Sequence, residues 1–212
     1  MLEAINNIKD ELNQICELSL NTLEGDTALI VVDMVKGFCN IGPLSTDRSI
    51  KVIDPIINLN LIMKENKKVF FVDSHNESSI EFKSYPVHCI KDSMEEEIID
   101  ELIEYSKDST ATIIKKNSIN GFHASEFKEW LNANKTIKNF IVTGLCTDIC
   151  VETFAISLST YFNEVDKDIN IIVPINTVET FDFGTHNGDL MNMISLYKMK
   201  SNGIKVVKSI IV

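Results

Sequence analysis

Short apolar runs alternate with longer amphipathic stretches along most of this 212-residue chain. The runs are rich in β-branched residues and are continuous rather than alternating, which is typical of strands covered on both faces. We predict six strands, at residues 28–32, 69–72, 112–114, 140–143, 169–173 and 204–207. We predict helices near residues 49–66, 94–106, 123–134, 148–163 and 186–201.

The alternation of strands and helices predicts an α/β fold, a three-layer α/β/α sandwich around a six-stranded, mainly parallel sheet. Apolar residues spaced three and four apart in the first 20 residues predict an extra N-terminal helix. We therefore divide the chain into an N-terminal helix segment, 1–24, and one domain, 25–212. The helix is expected to pack either on the domain or on a neighbouring subunit, and in the second case the protein would be a homo-oligomer.

Composition narrows the class of partner. The chain has 20 Lys and Arg against 31 Asp and Glu, a net charge of −11, which argues against nucleic acid because phosphate binding needs a basic face. No apolar run approaches the roughly 20 residues of a membrane helix, so we expect no membrane partner. Five cysteines, an odd number, without a secretion signal do not resemble a disulfide framework, and we expect a cytoplasmic location.

Polar side chains follow four of the predicted strands, at the strand ends where parallel sheets bind ligands. They are Asp33, Asp73 with His75, Lys115 with Lys116, and Cys146 with Cys150. The sequence therefore predicts that two acids, an imidazole, a base and a thiol meet at one edge of the sheet.

Cys150 falls in the first turn of a predicted helix, where free N–H groups and the helix dipole favour a thiolate. A buried cysteine packed on the sheet is an equally good interpretation. Asp33 ends an apolar strand, and burial would raise its pKa towards that of a general base, unless it only bonds loop amides. Lys115 and Lys116 point to opposite faces of the sheet, so at most one can meet Asp33 and Cys150.

A second set of side chains has the character of metal ligands. Asp73 and His75 share one side of an extended segment, and Glu81 and His88 follow within 15 residues, with Glu77 as a substitute for Glu81. A mixed nitrogen and oxygen set suits Zn, Fe or Mn. A solvated acidic loop with two surface histidines is the alternative.

These segments resemble the isochorismatase-like cysteine hydrolases, and within them the nicotinamidases, over about residues 27–207. TGLCTDICV at 143–151 is similar to the nucleophile motif, and VVDMVKGF at 31–38 resembles the first-strand motif. KNSINGF at 116–122 resembles the lysine motif, in which the lysine precedes the phenylalanine by six, and this selects Lys116. DSH at 73–75 and YPVHC at 85–89 match the nicotinamidase metal elements, with Glu81 seven residues before His88.

The resemblance implies an amidase that hydrolyses nicotinamide to nicotinate and ammonia. It implies Cys150 as nucleophile, Asp33 as acid and base, and Lys116 as the cation that stabilises the thiolate. It also implies an oxyanion hole made by the backbone N–H groups of Cys146 and Cys150, with a cis peptide bond before Cys146.

The same resemblance implies one divalent metal, with Zn expected first and Fe or Mn as alternatives. Its ligands would be Asp73, His75, Glu81 and His88. Phe38 and Tyr85 correspond to the residues that sandwich the pyridine ring, and aromatic side chains suit a flat heteroaromatic substrate.

The sequence departs from the family where a glutamine commonly follows the catalytic Asp by two residues, since Val35 occupies that position. One alternative is therefore an amidase of the same fold that acts on another small amide or carbamoyl compound. A non-catalytic small-molecule-binding subunit is the other. His123 and His186 lie outside the metal set, at predicted helix starts, and need no catalytic role. Cys16 is expected to pack on the N-terminal helix, and Cys39 and Cys89 to lie in loops beside the site.

Overall fold

A mainly parallel sheet runs through the centre of the computed structural model, which describes residues 2–212. The strands are β1 (Leu18–Ser19), β2 (Asp26–Val32), β3 (Lys67–Asp73), β4 (Ala111–Lys116), β5 (Ile137–Leu145), β6 (Asn170–Pro174), β7 (Val178–Glu179), β8 (Lys205–Val207) and β9 (Ile210–Ile211). The α-helices are α1 (Leu2–Asn13), α2 (Lys36–Cys39), α3 (Ile50–Ile62), α4 (Ile103–Ser106), α5 (Ser125–Ala133), α6 (Glu152–Glu164) and α7 (Gly188–Ser201).

The main sheet has the order β4-β3-β2-β5-β6-β8, and each of these pairs is parallel. All six predicted strands are present. A seventh strand, β7, pairs with the end of β5, and a separate two-stranded sheet joins β1 to β9. The order places β3, β2 and β5 side by side, so the residues that follow them are neighbours in space.

Alternate residues of the central strands feed two hydrophobic cores. In β2, Ile30 faces the core formed with α5, α6 and α7, whereas Leu29 and Val31 face the core formed with α2 and α3. All three side chains are buried. Burial on both faces explains why these strands are continuous apolar runs, and it confirms the three-layer sandwich.

The prediction of a helix at residues 94–106 is wrong. This segment forms two short 3₁₀ turns, Met94–Glu96 and Asp100–Leu102, followed by the single turn of α4. The backbone between the turns bonds to another part of the chain, because Ile99 N–H donates to Met34 C=O and Lys36 N–H donates to Glu97 C=O. These tertiary bonds replace the bonds that a continuous helix would make.

The N-terminal helix is shorter than the segment predicted for it. α1 ends at Asn13, and its last turn packs against α7, where Glu11 forms an ion pair with Lys200. Cys16 lies beyond the end of this helix and is exposed, so the prediction that it packs there is wrong. None of the helices in residues 2–212 is long and apolar enough to span a membrane.

Candidate active site

Four neighbouring strands deliver the candidate catalytic and metal-binding residues to one edge of the sheet. Asp33 follows β2, Asp73 ends β3, and Lys116 ends β4. Cys150 lies in the turn Thr147–Val151 that follows β5. Parallel strands carry their carboxyl ends to the same edge, and this is why residues more than 100 positions apart meet here.

Lys116 lies at the centre of this group. Its Nζ is 2.8 Å from Asp33 Oδ2, 2.8 Å from Asp73 Oδ1 and 3.9 Å from Cys150 Sγ. Asp33, Asp73 and Lys116 are all almost completely buried. Lys115 points to the opposite face of the sheet, where its Nζ is 2.8 Å from Glu96 Oε1. The alternation of β4 therefore separates the two lysines, and only Lys116 reaches Asp33.

Burial and charge set the protonation of the group. Burial raises the pKa of Asp33 to about 7, an effect that the Lys116 ammonium reduces and the Asp73 charge reinforces. Burial would lower the pKa of Lys116, but the charges of Asp33 and Asp73 raise it well above its usual value. Burial also raises the pKa of the Cys150 thiol despite Lys116. Cys150 is therefore a thiol at rest, and the dipole effect predicted to favour a thiolate is outweighed.

The turn that carries Cys150 is a π-helical turn rather than the first turn of an α-helix, and no side chain caps it. The peptide bond between Leu145 and Cys146 is cis, as the resemblance implied. Just before it, Gly144 adopts φ +111°, and a Cβ at this position would lie 2.0 Å from Val32 O. A residue without a side chain is therefore required where β5 passes β2.

The predicted metal ligands come together beside this group. One ligand atom from each of the four side chains lies within 4.8 Å of the others, and these residues are Asp73, His75, Glu81 and His88. Glu81 lies in the 3₁₀ turn Ile80–Lys83, and its Oε2 accepts a hydrogen bond from Ile119 N–H. Glu77, the substitute that the sequence left open, is exposed and outside the group.

The surroundings of the two histidines fit a metal ion. Nδ1 of His75 donates to Asn117 Oδ1 at 3.0 Å, and Nδ1 of His88 donates to Pro86 C=O at 2.7 Å. Each Nε2 atom is then free to act as a ligand, an arrangement that metal-binding histidines commonly show. Nε2 of His75 is buried, lies 3.0 Å from Asp73 Oδ2 and makes no hydrogen bond. A cation bound between His75 Nε2 and Asp73 Oδ2 would give each of these two atoms a partner.

A cavity opens over Cys150 and three of the four candidate ligands, Asp73, Glu81 and His88. Phe38 and Tyr85, the aromatic residues predicted to hold a ring, both line it. Four further lining residues were not predicted, namely Leu44, Ile119, Ile149 and Phe181. Ile119 and Ile149 lie within recognised motifs and Leu44 lies just after one, whereas Phe181 follows the unpredicted β7 and had no sequence signal.

A larger groove lies elsewhere, between α1, α7 and Arg48. Its lining contains neither cysteine nor histidine. The smaller cavity is the candidate active site because the Cys150 thiol lines it together with three of the candidate metal ligands.

The model of the isochorismatase domain matches residues 27–203 of this chain. The chain belongs to the isochorismatase family. The match covers nearly the whole segment over which the motifs resemble this family. Nicotinamidase 1 of Arabidopsis thaliana is 31% identical over 215 residues, covering 88% of this chain and 87% of that protein.

Solved structures of other isochorismatase-like proteins are similar to this one. A pyrazinamidase of Pyrococcus horikoshii, solved in complex with zinc, has 25% identity and a TM-score of 0.71, with 86% of this chain and 99% of that chain covered. An N-carbamoylsarcosine amidase of Thermoplasma acidophilum has 25% identity and a TM-score of 0.70, with 86% and 96% covered. These relatives confirm the isochorismatase-like hydrolase fold and place amidases among the proteins that share it.

Proposed function

We propose that this protein is a cysteine amidohydrolase that converts nicotinamide to nicotinate and ammonia through a thioester on Cys150. The observation that carries the proposal is the buried group of Asp33, Lys116 and Cys150 beneath a cavity that Phe38 and Tyr85 line. A structural role alone would not require a thiol, an acid and a cation to be buried together beside a set of metal ligands.

The reaction begins with transfer of the Cys150 proton to Asp33. A base with a pKa of about 7 is partly ionised at neutral pH, and the Lys116 ammonium stabilises the thiolate as it forms. The thiolate attacks the carboxamide carbon, and we assign the backbone N–H groups of Cys146 and Cys150 to stabilise the oxyanion. The tetrahedral intermediate collapses, and Asp33 returns the proton to the departing ammonia.

The second half of the reaction hydrolyses the thioester. Asp33, again ionised, removes a proton from water as it attacks the acyl carbon, and the Cys150 thiolate leaves. That proton returns to the thiolate and restores the thiol, and the carboxylic acid product loses its remaining proton to solvent and is released as nicotinate. Asp33 thus acts as base and acid in turn, and its burial beside Lys116 suits it to both roles.

A divalent cation fits the site, and Asp73, His75, Glu81 and His88 would hold it. Zinc is the ion we propose first, with iron or manganese as alternatives, because two imidazoles and two carboxylates suit all three. When bound, the cation supplies a Lewis acid for a ring nitrogen of the substrate. Phe38 and Tyr85 line the same cavity and would contact the faces of a flat ring.

The cavity also favours an uncharged substrate. Its lining contains no Lys or Arg, and Lys116 below it is already paired with two carboxylates. Arg48 is held elsewhere by Glu179 and Asp182. Asp73 and Glu81 would already balance the charge of a divalent cation, so a carboxylate on the substrate would add a buried negative charge that nothing balances, which is costly. We propose a neutral heteroaromatic carboxamide rather than an N-carbamoyl amino acid.

A Cys150→Ala variant tests the proposal. Ammonia release from nicotinamide should be lost in this variant, together with the covalent acyl adduct seen by mass spectrometry. Cys16→Ala is the matched control, since Cys16 is exposed and outside the site, and it should retain full activity. Full turnover by Cys150→Ala would refute the mechanism.

Another amidase activity is the second candidate, because an N-carbamoylsarcosine amidase has the same fold and Val35 departs from the nicotinamidase pattern. Val35 is buried and pairs with Ile98. It does not line the cavity, so this departure changes the core beside the site rather than its lining. A panel of amides distinguishes the two candidates, and we expect kcat/KM to be highest for nicotinamide and low for N-carbamoylsarcosine. The opposite order would favour the second candidate.

The reactivity of the Cys150 thiol distinguishes the proposed enzyme from a non-catalytic binding protein. In a catalytic protein, Cys150 should react with iodoacetamide at neutral pH even though it is a thiol at rest, because Asp33 can accept its proton and Lys116 stabilises the thiolate as it forms. A Cys150 that stays unreactive in the folded, metal-loaded protein would favour the binder.

Homo-oligomer formation and a cytoplasmic location are also part of the proposal. Light scattering tests the first and cell fractionation tests the second.

A further inference from the structure

The loop between β7 and α7 forms one wall of the cavity. Phe181 lies in this loop and lines the cavity beside Cys146 and Cys150. Mutual backbone hydrogen bonds between Phe183 and His186 close the loop into a tight turn. The loop is therefore ordered by its own backbone as well as by the side chains described next.

His186 holds Phe181 in two ways. The two rings are stacked with centroids 4.0 Å apart and planes within 5°. Nδ1 of His186 also lies 2.9 Å from the backbone carbonyl oxygen of Phe181. The imidazole thus packs on the ring of Phe181 and bonds its backbone, which fixes where the phenyl group lies.

The same imidazole reaches the turn that carries the nucleophile. Nε2 of His186 is 2.8 Å from Oδ2 of Asp148, whose side chain is 7% exposed and which precedes Cys150 by two residues. Ser195 of α7 secures this turn as well, since its hydroxyl donates to Thr147 C=O at 3.0 Å. His186 therefore connects the wall of the cavity to the segment that places Cys150.

Arg48 fixes the beginning of the loop independently. Its Nε donates to Thr180 C=O at 2.9 Å, and Asp182 both pairs with Arg48 and accepts a hydrogen bond from Gly188 N–H. With Thr180 and Asp182 held in this way, the remaining freedom around Phe181 is removed by His186.

We propose that His186 is a positioning residue that sets substrate size. It holds Phe181 at a fixed distance from Cys150, so the cavity accepts an unsubstituted flat ring and rejects rings with an added substituent on that side. The proposal rests on the proposed amidase function and deepens it by naming what limits the acyl group. His186 is not itself among the residues that line the cavity, and it acts on the cavity through its contacts with Phe181.

The test compares kcat/KM for nicotinamide with kcat/KM for ring-methylated nicotinamides. His186→Phe keeps an aromatic ring for stacking and loses both polar contacts. We expect the ratio to shift about tenfold towards the methylated substrates in this variant, and by a similar factor in Phe181→Leu. His186→Gln keeps a donor for Asp148 and should restore part of the selectivity. His123→Phe is the matched control and should leave the ratio unchanged.

A purely structural role would predict a different result. Partial unfolding would lower kcat/KM for both substrates equally and would leave their ratio unchanged. If His186 acts through Phe181, the double variant that combines His186→Phe with Phe181→Leu should shift the ratio no further than either single variant. The reason is that the two substitutions remove the same constraint. A ratio unchanged within twofold in His186→Phe and Phe181→Leu, or additive shifts in the double variant, would overturn the proposal.

Failure of the proposed function can be recognised separately. If the wild-type protein releases no ammonia from nicotinamide, the role of His186 in positioning Phe181 can still be tested. Alkylation of Cys150 serves for this test because it needs no turnover. The rate with N-phenyliodoacetamide relative to iodoacetamide, measured on the Cys150 peptide, should rise about tenfold in His186→Phe. The exposed Cys16 serves as an internal reference. An unchanged relative rate would overturn the role of His186.

Discussion

The Lys116 ammonium balances two buried carboxylates, 2.8 Å away on either side. Burial alone would favour the neutral forms of all three groups, but their mutual attraction keeps the lysine charged and lowers the pKa of Asp73. Asp33 differs, because its pKa remains raised. The same lysine thus leaves Asp73 ionised within the group of candidate metal ligands and leaves Asp33 able to exchange protons.

Replacement of this cation should be costly. Lys116→Met leaves the buried Asp33 without its cation and removes one of the partners of Asp73, and we expect the free energy of unfolding to fall by about 3–5 kcal/mol. We also expect kcat/KM to fall by about 10²-fold or more, since the thiolate loses its counter-charge. Urea denaturation and ammonia release measure the two effects.

Lys115→Met is the matched control for this substitution. Lys115 is half exposed and pairs with Glu96 on the opposite face, so its loss should cost about 1 kcal/mol or less and leave kcat unchanged. Equal effects of the two substitutions would contradict the role assigned to Lys116.

Asn117 fixes the orientation of His75 through the hydrogen bond from Nδ1. Asn117→Leu removes the acceptor, and the imidazole can then turn its lone pair away from the cluster. We expect zinc affinity to fall about 10–100-fold, the usual cost of losing such a partner. Chelator competition measures this without reference to activity. Asn117→Asp keeps an acceptor and should retain affinity, and an Asn117→Leu protein that binds zinc as tightly as the wild type would refute the assignment.

At the scale of elements, the passage from β5 into the nucleophile turn depends on close contact with β2. Gly144 pairs with Val32, and its φ of +111° is strained for any residue with a side chain. The contact is with backbone, which cannot move aside without breaking the central strand pair.

Gly144→Ala should therefore prevent stable folding or cost more than about 3 kcal/mol. Gly203→Ala is the matched control, because Gly203 also has a positive φ but has no atom within 4 Å of an added Cβ. Its cost should be about 1–2 kcal/mol, from backbone strain alone. Thermal denaturation compares the two variants, and similar Tm values would show that the contact with Val32 is unimportant.

Element prediction succeeded where burial alone dictates the pattern. The six main strands are continuous apolar runs because helices cover both faces of the sheet. β1, β7 and β9 have two residues each, too few for any periodicity to be visible. The segment 94–106 has helical spacing, yet the backbone of Glu97 and Ile99 bonds to the segment after β2. Such long-range backbone pairing leaves no local signal.

At the scale of the whole molecule, Arg48 joins three separate parts of the chain. It precedes α3 and pairs with Glu179 of β7, Asp182 of the wall loop and Asp189 of α7. The bond from Gly188 N–H and the Arg48 charge lower the pKa of Asp182, and Arg48 lowers the pKa of Asp189. The chain has a single arginine, and this network uses it for structure.

This network gives a pH dependence with a definite sign. A carboxyl group whose pKa is lowered on folding stabilises the native state above its unfolded value, near 4, and this contribution disappears as the pH falls through the folded value. The variant Asp182→Asn with Asp189→Asn should be less stable than the wild type at pH 7, and the difference should close below about pH 4. Urea midpoints across this range measure it.

A variant with both Asp166→Asn and Asp168→Asn controls for the change in net charge, since both residues are exposed and outside the network. It should match the wild type throughout the same pH range. A difference between the double variant and the wild type that does not shrink as the pH falls below about 4 would contradict the electrostatic explanation.

By itself, the sequence determined the sheet, the layer architecture and the edge where the chemistry-bearing residues lie, because these follow from burial and from the geometry of parallel strands. It also identified the family through motifs carried by short contiguous segments. The motifs favoured Lys116 over Lys115 and Glu81 over Glu77, but only the tertiary structure shows Lys116 buried against Asp33, Glu81 within the group of candidate metal ligands, and Phe181 with His186 forming a wall of the cavity. Each of these depends on contacts between segments distant along the chain, and such contacts exist only after the strands have paired.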